Sequence, residues 1–310
     1  MSAPGLICLV GPTGSGKTAA ALRLARLLKR AGRAAVVLNA DSRQVYADFP
    51  LITAQPSAAE RAVCPHLLYG YLPATAKSSA GRWAERARAA LAEVDAQGGV
   101  PLLVGGTGLY LRALLDGMAD IPAPDPAVSA RLLDECRTAG APVLHARLAD
   151  IDPDYAARIH PHDRQRVVRA LEVWESTGRT FTWWHARTPP PPDRPVLRLG
   201  VGLPLDELTP LLRARILAML EAGALDEARA ALARCPDTTA PGWTGIGCAE
   251  LAAHLTGTLS LDECVELWTR NTRAYAKRQW TWFRADARIL WQRPGEEDAL
   301  ERRAVEFLKL

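Results

Sequence analysis

The beginning of the chain alternates short apolar runs with one amphipathic segment. Residues 6–10 and about 34–38 are continuous apolar runs, and an Ala- and Leu-rich segment with helical spacing, about 17–30, lies between them and is followed by Gly32. Short apolar runs next to glycine turns are typical of buried strands. The order strand, helix, strand predicts a parallel α/β sheet with flanking helices.

A second helix and strand continue this pattern. The helix is predicted from four residues that share one face at helical spacing: Trp83, Ala87, Leu91 and Val94. It ends at a glycine pair, and "VPLLVGGTG" (100–108) then predicts a buried strand that breaks into a glycine turn. Because ligands bind beyond the carboxyl ends of strands in open parallel sheets, we expect the loops at 11–18, 39–46 and 105–108 to converge on one site.

Two proline-rich segments, "DIPAPDP" (120–126) and "TPPPPDRP" (188–195), divide the chain. The part between them shows helical patterns without strand-like runs, which is typical of an inserted helical domain with proline hinges. After the second segment, "VLRLGVGL" (196–203) predicts a strand that rejoins the sheet, and helical patterns follow nearly to the end. The predicted division is a core of residues 1–117 and 196–310 and an all-helical insertion of residues 118–195.

The composition allows a large core but does not by itself reveal a partner. With 310 residues, of which 48% are hydrophobic, the chain can bury one large core or two moderate ones, which argues against a disordered protein. The formal net charge is +4, and only five of the 38 basic residues are lysines. Arginine grips phosphate with a planar fork and suits nucleic acids, but a genome rich in G and C enriches arginine equally. Only local clusters of basic residues can therefore indicate nucleic-acid binding.

The cysteines are widely spaced, and no pair has the spacing of metal ligands: Cys8, Cys64, Cys136, Cys235, Cys248 and Cys264. The first residues lack a basic segment followed by a cleavable apolar stretch, and the first apolar run is too short to span a bilayer. We expect reduced thiols, a cytoplasmic location and no membrane partner.

The stretch "GPTGSGKT" (11–18) joins the first strand to the first helix and has the form G-x-x-x-x-G-K-[ST]. Such a loop cradles phosphates with its backbone amides and the N-terminus of the helix, Lys17 adds a positive charge, and the Thr18 hydroxyl can bind Mg²⁺. The alternative, a simple glycine turn, is disfavoured by the strand and helix on either side. The predicted phosphate-binding residues are Gly11, Pro12, Thr13, Gly14, Ser15, Gly16, Lys17 and Thr18.

Two further loops carry polar residues at strand ends. "NADSRQVY" (39–46) places Asp41 where a strand-end carboxylate can face the bound phosphate or its acceptor, although an aspartate that caps the next helix is an equal alternative. Two residues separate Asp41 from the apolar run, which weakens the interpretation as a plain ATPase. Ser42, Arg43 and Gln44 suit a base edge. Thr107, in "GGTGLY" (105–110), makes either a second phosphate or sugar contact or a structural turn.

Two basic segments are candidates for nucleic-acid binding. "RIHPHDRQRVVRALEVW" (158–174) predicts an amphipathic helix with Arg166 and Arg169 on one face, which either lies along an RNA backbone or is a solvated charged face. Its histidines lack a further ligand at metal spacing. "WTRNTRAYAKRQWTWFR" (268–284) interleaves cations with aromatic residues, which either stack on bases or pack a terminal helix onto the core.

Taken in order, these stretches resemble one family, the tRNA dimethylallyltransferases (tRNA isopentenyltransferases). The matching stretches cover nearly the whole chain: "GPTGSGKT", "NADSRQVY", "ITAQP" (52–56), "PHLL" (65–68), "PLLVGGTGLY", "HPHDRQRVVRALEV" (160–173), "RILAMLEAGALDEA" (215–228) and "TRAYAKRQWTWFR" (272–284). The resemblance implies a P-loop core related to nucleoside kinases and a helical insertion that embraces the anticodon stem-loop.

The resemblance also implies a reaction. A dimethylallyl group would pass from dimethylallyl diphosphate to the N6 amine of the adenosine on the 3′ side of the anticodon, in tRNAs that read codons beginning with U, with release of diphosphate. Mg²⁺ would be the cofactor and a monomer would suffice. Asp41 would accept a proton or a hydrogen bond from the amine, and Thr18 and Arg215 would contact the diphosphate. The residues that would contact tRNA are Asp41, Ser42, Arg43, Gln44, Thr107, Ser129, Gln165, Arg166, Val167, Val168, Arg169, Lys277 and Arg278.

Three residues depart from the family pattern: Cys248 after "GIG", Leu211 where an arginine is frequent, and Ser129 near the position of another frequent arginine. These departures put individual tRNA contacts in question rather than the reaction. Two other functions stay open on the sequence, a kinase or NTPase that uses the same loop on ATP, and an RNA-binding module with a vestigial phosphate loop.

Overall fold

The computed structural model of the protein describes residues 5–190 and 193–310. Two prolines of the second proline-rich segment, at positions 191 and 192, lie outside the described residues. The contacts divide the chain into two compact units, which we call the sheet unit (Met1–Leu114 with Asp193–Leu310) and the helical unit (Leu115–Pro192).

One parallel sheet forms the centre of the sheet unit. Its strands are β1 (Leu6–Val10), β2 (Ala35–Asn39), β3 (His66–Leu67), β4 (Val100–Gly105), β5 (Val196–Val201) and β6 (Ile289–Gln292). Among the described residues these six strands lie in the order β3-β2-β4-β1-β5-β6, and every pairing is parallel. Strands β1, β2 and β4 are buried along their whole length, which explains why their sequences are continuous apolar runs.

Helices cover the sheet and make up the helical unit. They are α1 (Lys17–Arg30), α2 (Ala58–Arg61), α3 (Ala80–Ala96), α4 (Gly108–Leu115), α5 (Pro126–Ala139), α6 (Ala141–Ile151), α7 (Pro153–Ala156), α8 (Arg164–Thr177), α9 (Phe181–His185), α10 (Leu205–Glu221), α11 (Ala224–Arg234), α12 (Cys248–Leu255), α13 (Leu261–Arg284) and α14 (Glu297–Leu308). The apolar face predicted for α3 is buried, with Trp83 at 1% exposure and Ala87 at 0%. The α/β architecture predicted from the sequence is confirmed.

The helical unit has a core of its own. Residues of α5, α6 and α8 form it, including Leu132, Leu144, Leu148, Val167 and Leu171. As the sequence pattern predicts, the described part of this unit contains no strand. Helix α5 begins where the first proline-rich segment ends, with Pro126 at its first turn and the Asp125 side chain accepting a hydrogen bond from the amide of Ala127.

The region after residue 205 contains a strand that the sequence pattern does not predict. Strand β6 lies at the sheet edge and pairs with β5. It has four residues, of which Ile289 and Gln292 are buried, and arginines flank it on both sides, so no apolar run marks it. Within the described residues, no helix is long and apolar enough to cross a membrane.

Candidate active site

The three loops predicted to converge meet at the carboxyl ends of β1, β2 and β4. The amide of Thr107 donates to the carbonyl of Ala40 (3.1 Å), and the amide of Ser42 donates to the hydroxyl of Thr107 (2.9 Å). A Cβ at Gly106 would lie 3.3 Å from the carbonyl oxygen of Gly11, so the glycine turn lies against the phosphate loop. Burial lowers the pKa of the Lys17 amine in that loop, and the charge of Asp41 opposes this shift. The predicted convergence is therefore confirmed.

The phosphate loop ends in the first turn of α1 with unused backbone donors. Gly16 precedes the helix in the left-handed conformation (φ 90°), which a residue with a Cβ rarely adopts. The amides of Gly16, Lys17 and Thr18 donate no backbone hydrogen bond within the described residues. These free N–H groups lie at the positive end of the helix dipole, so the loop attracts an anion.

Side chains of the loop add a cation and hydroxyls without a hydrogen-bond partner among the described residues, among them those of Thr18 and Ser15. The amine of Lys17 donates to the carbonyls of Gly11 (3.0 Å) and Pro12 (2.7 Å), and burial lowers its pKa to about 8. Thr18 is exposed, and within the described residues its hydroxyl makes no hydrogen bond. The buried hydroxyl of Ser15 likewise lacks a partner there.

Arg215 reaches this site from α10. Burial lowers the pKa of its guanidinium, while the negative charge of Asp41 raises it, and Arg215 in turn lowers the pKa of Lys17. No described residue forms a hydrogen bond or an ion pair with Arg215. Because desolvating a cation without a partner is costly, the two neighbouring cations favour binding of an anion between them.

Asp41 is held by its neighbours in a turn rather than at a helix start. The side chain of Asn39 accepts from the amide of Asp41 (2.8 Å) and donates to its carbonyl (3.0 Å). One carboxylate oxygen of Asp41 accepts from the amide of Arg43 (2.8 Å). Among the described residues, no helix begins between β2 and α2 (Ala58–Arg61), so the helix-cap alternative is wrong. Within the described residues, the other oxygen, Oδ2, accepts no hydrogen bond and is available to a ligand.

Three tyrosines lie within electrostatic range of this carboxylate. The sequence singled out only Tyr275 of the three, as one of the aromatic residues of 268–284 that either stack on bases or pack. Burial, and then the charge of Asp41 among the further causes, raises the pKa of each: Tyr69, Tyr110 and Tyr275. The tyrosines lie in or beside the quoted stretches, but no spacing rule connects them, because they come from three separate parts of the chain. Asp41 is thus within electrostatic range of two cations and three aromatic rings.

Ser42 and Thr107 form a hydroxyl pair next to Asp41. The hydroxyl of Thr107 donates to that of Ser42 (3.3 Å), and Tyr275 shares a hydrogen bond with Thr107. Both residues are half-buried, so both hydroxyls combine a fixed position with partial access to solvent.

Arg43 and Gln44 both donate to backbone carbonyls of neighbouring loops, although the Nε of Arg43 is buried without a partner among the described residues. One terminal nitrogen of Arg43 donates to the carbonyls of Pro241 (3.1 Å) and Gly242 (2.7 Å). The amide nitrogen of Gln44 donates to two backbone carbonyls, at Thr53 (3.0 Å) and Ala54 (2.7 Å). These side chains therefore hold neighbouring loops in place beside the site.

The helical unit presents only part of its predicted RNA-binding helix to solvent. Gln165 and Arg166 are exposed on α8 and Arg169 is half-buried, but Val167 and Val168 lie in the core of the unit. Ser129, on α5, is half-buried. Contact through side chains of α8 therefore has to come from the polar members of the segment.

The arginines of the helical unit differ in their pairing. Arg166 forms an ion pair with Asp163 (3.4 Å), and Arg169 pairs with Glu172 (3.5 Å). Arg158 and Arg164 are exposed, and within the described residues neither forms an ion pair. Arg158 and Arg164 lie just before and at the N-terminus of α8. The unit's two other arginines without an ion pair among the described residues, Arg179 and Arg187, lie over the ring of Trp183. The sequence pattern does not reveal this difference.

The second basic segment forms most of α13. Most of its aromatic residues pack against the protein. Trp268 and Phe283 are buried, and the rings of Trp280 and Trp291 meet edge to face with their centres 4.4 Å apart. Lys277 and Arg278 are exposed, with the guanidinium of Arg278 5.6 Å from the centre of the Tyr275 ring. The helix thus packs through its aromatic rings and leaves cations at its surface.

A family model and several known proteins match this chain. The IPP transferase family model matches residues 44–286. A tRNA dimethylallyltransferase of Nitratidesulfovibrio vulgaris (strain DSM 19637 / Miyazaki F) is 61% identical over 326 aligned positions, covering 100% of this chain and 95% of the relative.

Solved structures are similar over nearly the whole chain. The full-length tRNA isopentenylpyrophosphate transferase from Bacillus halodurans has a TM-score of 0.70 at 31% identity, covering 98% of this chain and 97% of its own. A eukaryotic dimethylallyltransferase acting on tRNA has a TM-score of 0.78 at 27% identity, covering 97% of this chain and 78% of its own. The predicted resemblance is confirmed, and this chain belongs to the IPP transferase family.

Proposed function

We propose that this protein is a tRNA dimethylallyltransferase. It transfers a dimethylallyl group from dimethylallyl diphosphate to the N6 amine of the adenosine on the 3′ side of the anticodon, in tRNAs that read codons beginning with U, and releases diphosphate. The main support is one arrangement: two partly buried cations, Lys17 and Arg215, lie beside a carboxylate, Asp41, that keeps one oxygen free. The names of the similar proteins point to the same reaction.

The phosphate loop binds the part of the donor that leaves. The free amides of Gly16, Lys17 and Thr18 hydrogen-bond the diphosphate oxygens, and the charges of Lys17 and Arg215 neutralise it. When the C–O bond of the donor breaks, the electron pair stays on the diphosphate. Cations placed where this charge develops lower the barrier.

Asp41 prepares the acceptor. The lone pair of an adenine amine is delocalised into the ring, which makes the amine a poor nucleophile. The free oxygen of Asp41 accepts a hydrogen bond from the amine, orients it, and takes its proton as the N6–C bond forms. Because no water is activated, the site needs no hydrolytic base.

The residues present fit a magnesium ion that is held mainly by the donor. Mg²⁺ prefers oxygen ligands and keeps several waters or phosphate oxygens, so one or two protein ligands suffice. The unpartnered hydroxyl of Thr18 would hold it beside the diphosphate. The bound ion would add positive charge at the leaving group.

The helical unit and α13 bind the tRNA. The exposed cations and amide on these elements contact the backbone of the anticodon arm: Gln165, Arg166, Arg169, Lys277 and Arg278. The hydroxyls of Ser42 and Thr107 contact the nucleotide beside Asp41. The adenosine has to leave its stack to reach the carboxylate, and a stacking contact with the half-buried Tyr275 would offset part of that cost.

Heat stability in the presence of ligand separates this proposal from the kinase alternative. A ligand that binds the folded state stabilises it by an amount that grows with the logarithm of its concentration divided by its Kd, so at equal concentration the tighter ligand raises the melting temperature more. With Mg²⁺ present, dimethylallyl diphosphate should raise the melting temperature more than ATP does at equal concentration. In the Lys17→Ala variant, dimethylallyl diphosphate should no longer raise the melting temperature. A larger rise with ATP would favour the kinase. Unchanged cellular tRNA modification in a Lys17→Ala strain would instead favour an RNA-binding module.

A further inference from the structure

A buried glutamine on α13 joins two of the three loops of the site. Gln279 is 4% exposed. Its side-chain oxygen accepts a hydrogen bond from the amide of Thr13 in the phosphate loop (2.8 Å), and its side-chain nitrogen donates to the carbonyl of Gly106 in the glycine turn (2.9 Å). One carboxamide therefore connects the predicted diphosphate site to the turn that carries Thr107.

The glycine turn is shaped to receive this helix. A Cβ at Gly106 would lie 2.1 Å from the side-chain nitrogen of Gln279, and a Cβ at Gly108 would lie 2.0 Å from the indole nitrogen of Trp282. Tyr275, one helical turn before Gln279, shares a hydrogen bond with Thr107. The close approach of α13 thus requires glycine at 106 and 108 in this stretch.

The bridge also gives one amide of the phosphate loop a different role from its neighbours. The amide of Thr13 donates to Gln279, whereas the amides of Gly16, Lys17 and Thr18 stay free at the helix N-terminus. Both partners of Gln279 are backbone groups, so the bonds can shift only if the loops shift. A buried amide that is satisfied at both ends holds its partners more tightly than one exposed to water.

We propose that Gln279 is a positioning residue for the prenyl donor. It fixes the phosphate loop against the glycine turn, and so sets the distance from the diphosphate to the adenosine held by Asp41, Ser42 and Thr107. The inference rests on the proposed function, since the donor and the acceptor are those of that reaction. Loss of the bridge displaces the donor relative to the amine, which slows transfer without removing a contact to tRNA.

Gln279→Leu removes both hydrogen bonds, and Gln292→Leu is the matched control. Gln292 is also a buried glutamine of the sheet unit (7% exposed), but its side chain has no hydrogen-bond partner among the described residues. We measure the melting temperature, the affinity for diphosphate with Mg²⁺, the affinity for tRNA, and the single-turnover rate of transfer. For Gln279→Leu the rate should fall about 100-fold and the diphosphate affinity about tenfold, while tRNA affinity stays within about twofold. Gln292→Leu should keep all three within about twofold.

Gly106→Ala tests the bridge without changing Gln279, because the added Cβ displaces the carboxamide. Gly106→Ala should show the same loss of transfer rate. If Gln279→Leu does not fold, the rate of Gly106→Ala tests the proposal instead. A rate and a diphosphate affinity within about threefold of the parent, in Gln279→Leu or in Gly106→Ala, would overturn the proposal. If the parent makes no prenylated tRNA, the proposed function fails, whereas the effect of the variants on diphosphate affinity still tests the bridge.

Discussion

Arg215 and Asp41 attract each other across the active site, yet within the described residues neither forms an ion pair. The arginine comes from α10 and the aspartate from the loop after β2, so only the fold brings them together. A guanidinium close to a carboxylate normally forms a bidentate pair. Because neither group is ion-paired within the described residues, the guanidinium is available to an anion and the carboxylate to a hydrogen-bond donor.

Arg215→Ala should impair the donor step selectively. Removing a cation aimed at the developing charge costs roughly 10²- to 10³-fold in kcat/KM for the donor. Arg213→Ala is the control on the same helix, because Arg213 is exposed and pairs with Glu266 at 2.7 Å. The control should stay within about twofold, and equal losses in both variants would show that charge on α10 acts only at long range.

Asp41→Asn should leave tRNA binding intact and lower the rate of transfer by about 10²- to 10⁴-fold, because the amide cannot take the proton. Asp48→Asn is the control. Asp48 lies in the same loop region, but its carboxylate pairs with Arg234 (2.9 Å) and accepts from the amide of Ala74 (2.9 Å). The Asp48→Asn variant should be less stable than the parent but should transfer the dimethylallyl group at the same rate. A rate for Asp41→Asn within about tenfold of the parent would exclude Asp41 as the base.

Lys17 should make diphosphate binding sensitive to pH. Its pKa is lowered from 10.5 to about 8 in the free protein, mainly by burial. A bound anion favours the protonated amine, so diphosphate affinity should fall as the pH rises through about 8, and binding there should take up protons. In the free protein the sign is opposite: because the unfolded chain binds more protons between pH 8 and 10.5, stability should rise with pH over that range.

Titration calorimetry in buffers of different ionisation enthalpy measures this proton uptake. Lys17→Arg is the control, because arginine keeps its charge throughout and the ligand's own titration is common to both proteins. Uptake that is the same in the parent and in Lys17→Arg would contradict the assignment.

Arg164→Ala should weaken tRNA binding, although the sequence predicts only Arg166 and Arg169 on the shared basic face of this helix. Arg164 is exposed and unpaired within the described residues, so its charge is available to a phosphate. Its loss should reduce the slope of log affinity against log salt by about 1. Arg137→Ala is the control, since Arg137 pairs with Asp134 at 2.8 Å. Equal slopes in the two variants would place the RNA elsewhere.

Much of the fold could be predicted because buried strands and helix faces leave recognisable apolar patterns in the sequence. Strands β1, β2 and β4 are buried throughout and therefore appear as apolar runs, and α3 shows its buried face at helical spacing. Strand β6 could not be predicted, because it is a short edge strand with exposed positions and flanking arginines. Its place is decided by pairing with β5, which is a long-range contact.

The site was predictable where its residues lie in one loop. The phosphate loop and Asp41 are local motifs, and the rule for parallel sheets brings them together. Arg215 was predicted only through the family resemblance, and neither Tyr69 and Tyr110 near Asp41 nor the bridge by Gln279 was predicted. These groups come from distant segments, and their role depends on burial and geometry that composition does not encode.

The most direct measurement is transfer itself. Purified protein is incubated with Mg²⁺, dimethylallyl diphosphate labelled in the allyl group, and unmodified tRNA with adenosine on the 3′ side of the anticodon. We expect one N6-dimethylallyladenosine per tRNA at that position and one diphosphate released for each group transferred. Diphosphate release without labelled nucleoside, or no product with any such tRNA, would contradict the proposed function.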